Sequence, residues 1–198
     1  MKFTQIPQDT FKNLQLNAGV LLSSFQPSSG TLTASAIMGA TTGGVNFTAT
    51  PTFSDWGEDI DNCPKNMKEL KKLESWEAKM SGTFASVTKA LAKTLAGAAD
   101  DDSGDASKIV PRNDLAQADF TDLWWVGDYS EVNEDGASSG KAGFIAIHLL
   151  NSLSTGGFQI QSTDKAKGQF AFEFAGHYSM DDQEQVPFEI YIQAGTGE

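Results

Sequence analysis

The chain is poor in the residues on which most site chemistry depends. It has one cysteine, Cys63, two histidines, His148 and His177, and one arginine, Arg112. A lone cysteine excludes an intrachain disulfide and a cysteine-based zinc site within one chain. Each histidine falls in a strand-like stretch with no Cys, Asp or Glu at metal-ligand spacing, so both read as structural. With a single arginine, the planar fork suited to bidentate phosphate recognition is almost missing. The 26 acidic against 14 basic residues give a formal charge of −12, which argues against nucleic acid held through its phosphates. Long apolar runs are lacking too. The strongest, 143–150, is far short of the ~20 residues that cross a bilayer, and the mixed, polar residues after Lys2 do not form a secretory signal. These absences lead us to expect a cytoplasmically made chain with no membrane segment and no export. At 198 residues it reads as one domain, 1–198.

Motifs for catalysis fare no better. Ser86-Val87-Thr88-Lys89 has the Ser-x-x-Lys spacing of penicillin-recognising serine enzymes, but its companion motifs are missing and Ser86 reads as a helix-start residue. Gly39 to Gly44 is glycine-rich, yet no Lys-Ser/Thr ends it and a strand follows, so it reads as a turn. Asp55, Glu58, Asp59 and Asp61 are oxygen ligands in number, without the order or distal Glu of an EF-hand. No metal, no cofactor and no enzymatic activity are expected.

What the sequence does contain is period-two alternation. In 157–178, Phe158 and Ile160 alternate with Gln159 and Gln161, and Phe170, Phe172 and Phe174 with Ala171, Glu173 and Ala175, which predicts two strands about a polar turn. Val45, Phe47 and Ala49 alternate with Asn46, Thr48 and Thr50. Trp76, Ala78 and Met80 alternate with Glu77, Lys79 and Ser81. Further strands are predicted at 14–21, 31–37, 123–129, with Trp124 and Trp125 on opposite faces, 142–151 and 188–192. Pro51 is expected to weaken the continuation of the strand at 45–50, leaving a long charged connection at 51–75 that suggests a purpose. A short turn at 7–9 and exposed acidic loops at 100–105 and 130–140 complete the reading. One amphipathic helix is predicted at 86–98, with Val87, Leu91 and Leu95 on its apolar face. The fold class is therefore mainly β, a β-sandwich or partly closed barrel with one flanking α-helix.

The stretches ATTGGVNFTATPTFSDWGEDIDNCPKNMKELKKLESWEAKMSGTF (40–84) and GFIAIHLLNSLSTGGFQIQSTDKAKGQFAFEFAGHYS (143–179) resemble the major tail (tail tube) proteins of long-tailed phages and prophages of Gram-positive bacteria. The opening PQDTFKNLQLNAGVLLSSFQP is similar too. The resemblance implies a tail-tube-like sandwich whose inner sheets join, six subunits to a ring, with rings stacked into the tube through which DNA leaves the capsid. Its implied place is the virion tail, and its implied partners are further copies of itself, the tape measure and the tail-terminator and tip proteins. DNA would pass the lumen without tight binding.

On that reading, the polar face supplies candidate lumen residues: Asn46, Thr48, Thr50, Glu77, Lys79, Ser81, Gln159, Gln161 and Glu173. The loop at 51–75 supplies candidates for contact between subunits or rings, Trp56, Glu58, Asp59, Asp61 and Lys65, with Trp56 as the anchor. Two other readings stay open. One is a binding module that grips carbohydrate or protein with exposed aromatics such as Trp124 or Trp125. The other is a hydrolase built on Ser86 and His148.

Overall fold

The computed structural model describes residues 7, 10, 13–129 and 143–194. The acidic loop expected at 130–140 and most of the turn expected at 7–9 lie outside these residues. Among the described residues there are nine strands and one α-helix: β1 (Gln15–Leu22), β2 (Thr41–Asp55), β3 (Lys71–Phe84), α1 (Lys89–Ala96), β4 (Ala99–Asp101), β5 (Ile109–Pro111), β6 (Thr121–Tyr129), β7 (Gly143–Ser154), β8 (Phe170–Ala175) and β9 (Phe188–Gln193). Seven strands make one antiparallel path, β1-β6-β7-β8-β3-β2, with β9 beside β7; β4 and β5 form a separate small hairpin. The path does not close. β1 and β2 stand at its two ends without pairing, so the fold is a β-sandwich with one flanking helix and not a barrel.

The long strand β7 makes the sandwich by serving both layers. Residues Phe144 to Leu149 pair with β9 on one side and β6 on the other, whereas Leu153 and Ser154 pair with β8. The change comes at Asn151, whose φ of 46° lies in the left-handed region that asparagine tolerates better than most residues. Its amide N–H donates to Asp122 and its side-chain amide to the carbonyl of His177. The bend thus has its own hydrogen bonds and the two layers fold face to face.

Between the layers, Ala78, Met80, Phe84, Phe170, Phe172 and Phe174 from β3 and β8 meet Leu21, Leu123, Trp125, Ile147 and Leu149 from β1, β6 and β7. Burying each of the three alternating phenylalanines of β8 contributes roughly 1.5–3 kcal/mol. The helix closes one end with Leu91 and Leu95. It is shorter than its apolar spacing suggested because Thr88, not Ser86, caps it: the Thr88 hydroxyl accepts from Leu91 N–H, and Gly97 ends it at a φ of 79°. Ser86 lies before the cap and accepts a hydrogen bond from Ala40 N–H.

Several strand expectations are corrected. β1 does not alternate throughout, since a bulge between Leu16 and Val20 interrupts its pairing with β6. The bulge brings the Ala18 carbonyl to the indole N–H of buried Trp125, at 3.1 Å, and a side chain at Gly19 would strike that indole. Residues 31–37 form no strand; they carry a 3-10 turn, Ala34–Ala36, and isolated bridges to Leu22 and Gln26. The first arm of the hairpin expected at 157–178 is also missing. Only Gln161 bridges Gln169 there, and β8 pairs instead with β3 and β7. Phe158 and Ile160 are 45% and 62% exposed, so no core drives those residues into a strand. Finally, the aspartates at 100–105 are not a purely solvated loop. Asp101 belongs to β4 and pairs with Lys89 and Lys93 of the helix, while Asp102 pairs with Lys108.

Candidate functional site

The layer β2-β3-β8 has one face in the core and one in solvent. Because β3 is paired on both sides, its register fixes which polar side chains become neighbours. Asn46, Ser81 and Glu173 form one row across three strands; Thr48, Lys79 and Ala175 form the next; Thr50 and Glu77 form a third. Seven of the nine candidate wall residues therefore share one face. Gln159 and Gln161 do not lie on a strand, and that part of the expectation is corrected. They border the face at a cavity of about 110 Å³ shared with Thr83 and Ala171, well below the ~300 Å³ at which small-molecule sites begin.

The charges on this face are tied to one another. Lys79 Nζ lies 2.5 Å from Glu77 Oε1, and that hydrogen bond, followed by the charges of Glu77 and Glu173, raises the lysine above its ordinary range. Glu173 accepts from the Thr155 hydroxyl at 2.9 Å. Two carboxylates thus outnumber one ammonium, and the ammonium already has a partner. Chemically the face offers short polar side chains and a small negative excess, with no nucleophile–base pair among these residues.

Beyond Thr50 and Glu77 the β2-β3 hairpin continues as an arm. Pro51 does not end β2, because β2 is an edge strand and a missing N–H there costs no ladder bond on its free side. Both strands run on to the pair Asp55 and Lys71, so the connection is 56–70 and not 51–75. A register shift after Thr52 leaves Glu74 as the extra residue of a bulge. Past it, Phe53 pairs with Leu73, and these are 52% and 44% exposed. The apolar side of the hairpin thus extends past the core that covers it further down.

The loop at the tip is held from within. Asp55 accepts from Gly57 N–H at 3.0 Å and from Asn66 N–H at 2.8 Å. These two backbone bonds, Asn66 first, hold its carboxyl below the ordinary range. Asp55 is therefore a loop organiser, while Glu58, Asp59, Asp61 and Lys65 are exposed on the outside. Trp56 is 62% exposed, its ring covered on one side by Lys72 Nζ at 4.6 Å. Ile60 and Met67 of the same loop are exposed as well.

The other candidates are placed as follows. Trp124 and Trp125 lie on opposite faces of β6 as expected, but both are buried, so neither offers a platform on which a sugar could stack. His148 has no acid at metal-ligand spacing along its own strand, but the fold brings it two from neighbouring strands, with Nε2 at 3.2 Å from Asp122 of β6 and Nδ1 at 3.2 Å from Glu189 of β9. This was missed because it depends on which strands flank β7, which spacing along one strand does not reveal. His177 places Nδ1 3.1 Å from the Asn151 carbonyl, beside a hollow of about 540 Å³ lined in part by Phe120 and Tyr178. No helix among the described residues is long and apolar enough to cross a membrane.

No protein-family model matches this chain, and no curated protein matches it either.

Proposed function

We propose that this chain is a structural subunit of a phage tail tube and that the polar face of β2-β3-β8 is its share of the channel wall. The observation that carries the reading is the registered set of polar rows on a broad open face. A binding pocket encloses its ligand, whereas a face of this kind suits a surface completed by neighbouring copies, as in large barrels with a wet interior. The resemblance of residues 40–84 and 143–179 to tail tube proteins supports the same reading.

In this account β2, paired on one side only, offers its free backbone edge to the next subunit, and six copies close a ring. The arm beyond Pro51 reaches a neighbouring subunit or ring, with Trp56 and the Phe53–Leu73 pair as the apolar contact. DNA meets a wall with a slight negative excess, in a chain of net charge −12. Phosphates then find no free cation at each step, and the polymer slides without sticking. The chain acts by shape and charge and carries out no reaction; its place is the virion tail, with tape-measure, terminator and tip proteins as partners.

Electron microscopy of the purified chain, with concentration-dependent mass measurement, tests this. Stacked rings or hollow tubes are expected. Persistent monomers at high concentration, with tape-measure and tip proteins present, would overturn the proposal.

A further inference from the structure

His148 lies on the opposite side of the molecule from the polar rows, on the outer face of β6-β7-β9. Its ring stacks on the Trp124 indole with centroids 3.9 Å apart and planes within 8°, and the residue is 9% exposed. One carboxylate stands at each ring nitrogen. Glu189 Oε2 lies at hydrogen-bond distance from Nδ1, 3.2 Å. Asp122 Oδ2 lies 3.2 Å from Nε2, out of line for a hydrogen bond, so this enclosed nitrogen has a charge beside it and no true partner.

The three residues come from three adjacent strands, Asp122 from β6, His148 from β7 and Glu189 from β9. Glu189 is opposite His148 in the β7-β9 register. Among the described residues, the other neighbours add no positive charge. Tyr191 of β9 donates its hydroxyl to Glu189 at 2.5 Å, Leu22 of β1 is opposite Trp124, and Phe25 packs on the indole.

A neutral imidazole can offer Glu189 an N–H but has no charge to set against Asp122; an imidazolium keeps the Glu189 bond and places a positive charge between the two carboxylates. Its charge also gains from the indole face on which it stacks. We infer that His148 is a proton-dependent clamp that fastens the edge strand β9 to the sheet. With the proton bound, Asp122 and Glu189 share one cation across three strands. With it lost, two carboxylates converge on a ring that can answer only one, and β9, which pairs with β7 alone, is the element free to move. Loosening β9 would uncover Ile145 and Ile147, the β7 residues opposite Ile192 and Ile190.

The sign follows from the protonated form favouring the docked strand. Docking is firmest with the ring doubly protonated and weakens as that proton is lost on the alkaline side. Glu189 stays charged on both sides of that change, its carboxyl held below the ordinary value first by the Tyr191 hydroxyl and then by His148. The inference does not depend on the tube reading.

Hydrogen exchange of the full chain read by mass spectrometry at about pH 5.5 and about pH 8, corrected for intrinsic exchange, tests the clamp. Protection of the peptide spanning β9 should fall by about tenfold relative to β8, as the loss of one charge-assisted contact would give. His148→Gln should make the β9 ratio independent of pH. Asp122→Asn, at a half-exposed site, is measured alongside in case His148→Gln does not fold. With one carboxylate left to serve, it should shrink the fall. An unchanged β9 ratio in the parent chain, or a full fall retained in either variant, would overturn the inference.

Discussion

The two outer faces of this sandwich are built from the same alternation and end as opposites. Behind β1, β6 and β7, the outward residues Leu22, Trp124, Val126 and Ala146 are covered by Phe25 and Ala36, forming a second apolar cluster. The segment between β1 and β2 is clasped over it by backbone bonds from Ser23 to Ala36 and from Met38 to Leu21. Behind β2, β3 and β8 the outward residues are Asn, Thr, Ser, Lys and Glu with two alanines of β8, Ala171 and Ala175, and no such apolar cover lies over the rows from Asn46 to Glu77. One outer face is packed and serves stability; the other is left open, and on the proposed reading it is the face that meets the channel.

Trp124→Ala puts the greatest strain on this comparison. Removing a buried indole from the covered face should destabilise the fold by about 3–5 kcal/mol in denaturant titration. A loss under about 1 kcal/mol would show that the second cluster is ornament and that the two faces are alike. Charge reversal on the open face comes next. Glu77→Lys with Glu173→Lys should leave folding stability within about 1 kcal/mol, because both are exposed or half-exposed, while DNA passage or ejection is impaired in assembled particles. Normal infectivity would separate these residues from the channel.

Trp56→Ala sharpens the comparison at the arm. Folding stability should stay within about 0.5 kcal/mol for so exposed a side chain, with the yield of stacked rings reduced. Equal losses of folding and stacking would place the residue in its own subunit's core. The smallest effect concerns Asp55, whose carboxyl is held below the ordinary value of 3.8. Its contribution to loop order is complete above that value and is lost as pH falls through the lower folded one. Exchange of 56–70 should therefore rise in acid before that of β8, and Asp55→Asn should produce part of the same rise at neutral pH. Simultaneous loss of loop and sandwich would contradict a separate organiser.

Much of the open face was legible because alternation in a strand with one buried side is a local signal. Asn46, Thr48 and Thr50 could be assigned to one side of β2 from their neighbours alone, and so could Glu77, Lys79 and Ser81 in β3. The error at Gln159 and Gln161 has the same origin. Their alternation with Phe158 and Ile160 is real, but nothing in one sequence says that those two apolar side chains stay half-exposed, with Phe158 touching the core at Phe170. Pro51 misled in a related way, since its cost depends on whether the strand lies at an edge. The Asp122–His148–Glu189 cluster was illegible for a stronger reason. It joins residues 26 and 41 positions from His148 through the neighbours of β7, and strand order is a property of the whole fold.

The central claim is that the polar rows face a channel. An electron cryomicroscopy map of assembled particles, fitted with the sandwich, tests it most directly. The account predicts that Thr48, Lys79 and Glu173 line the inner wall, with the Trp124 face turned outward. A map with those three residues on the outer surface, or sealed between subunits, would contradict it.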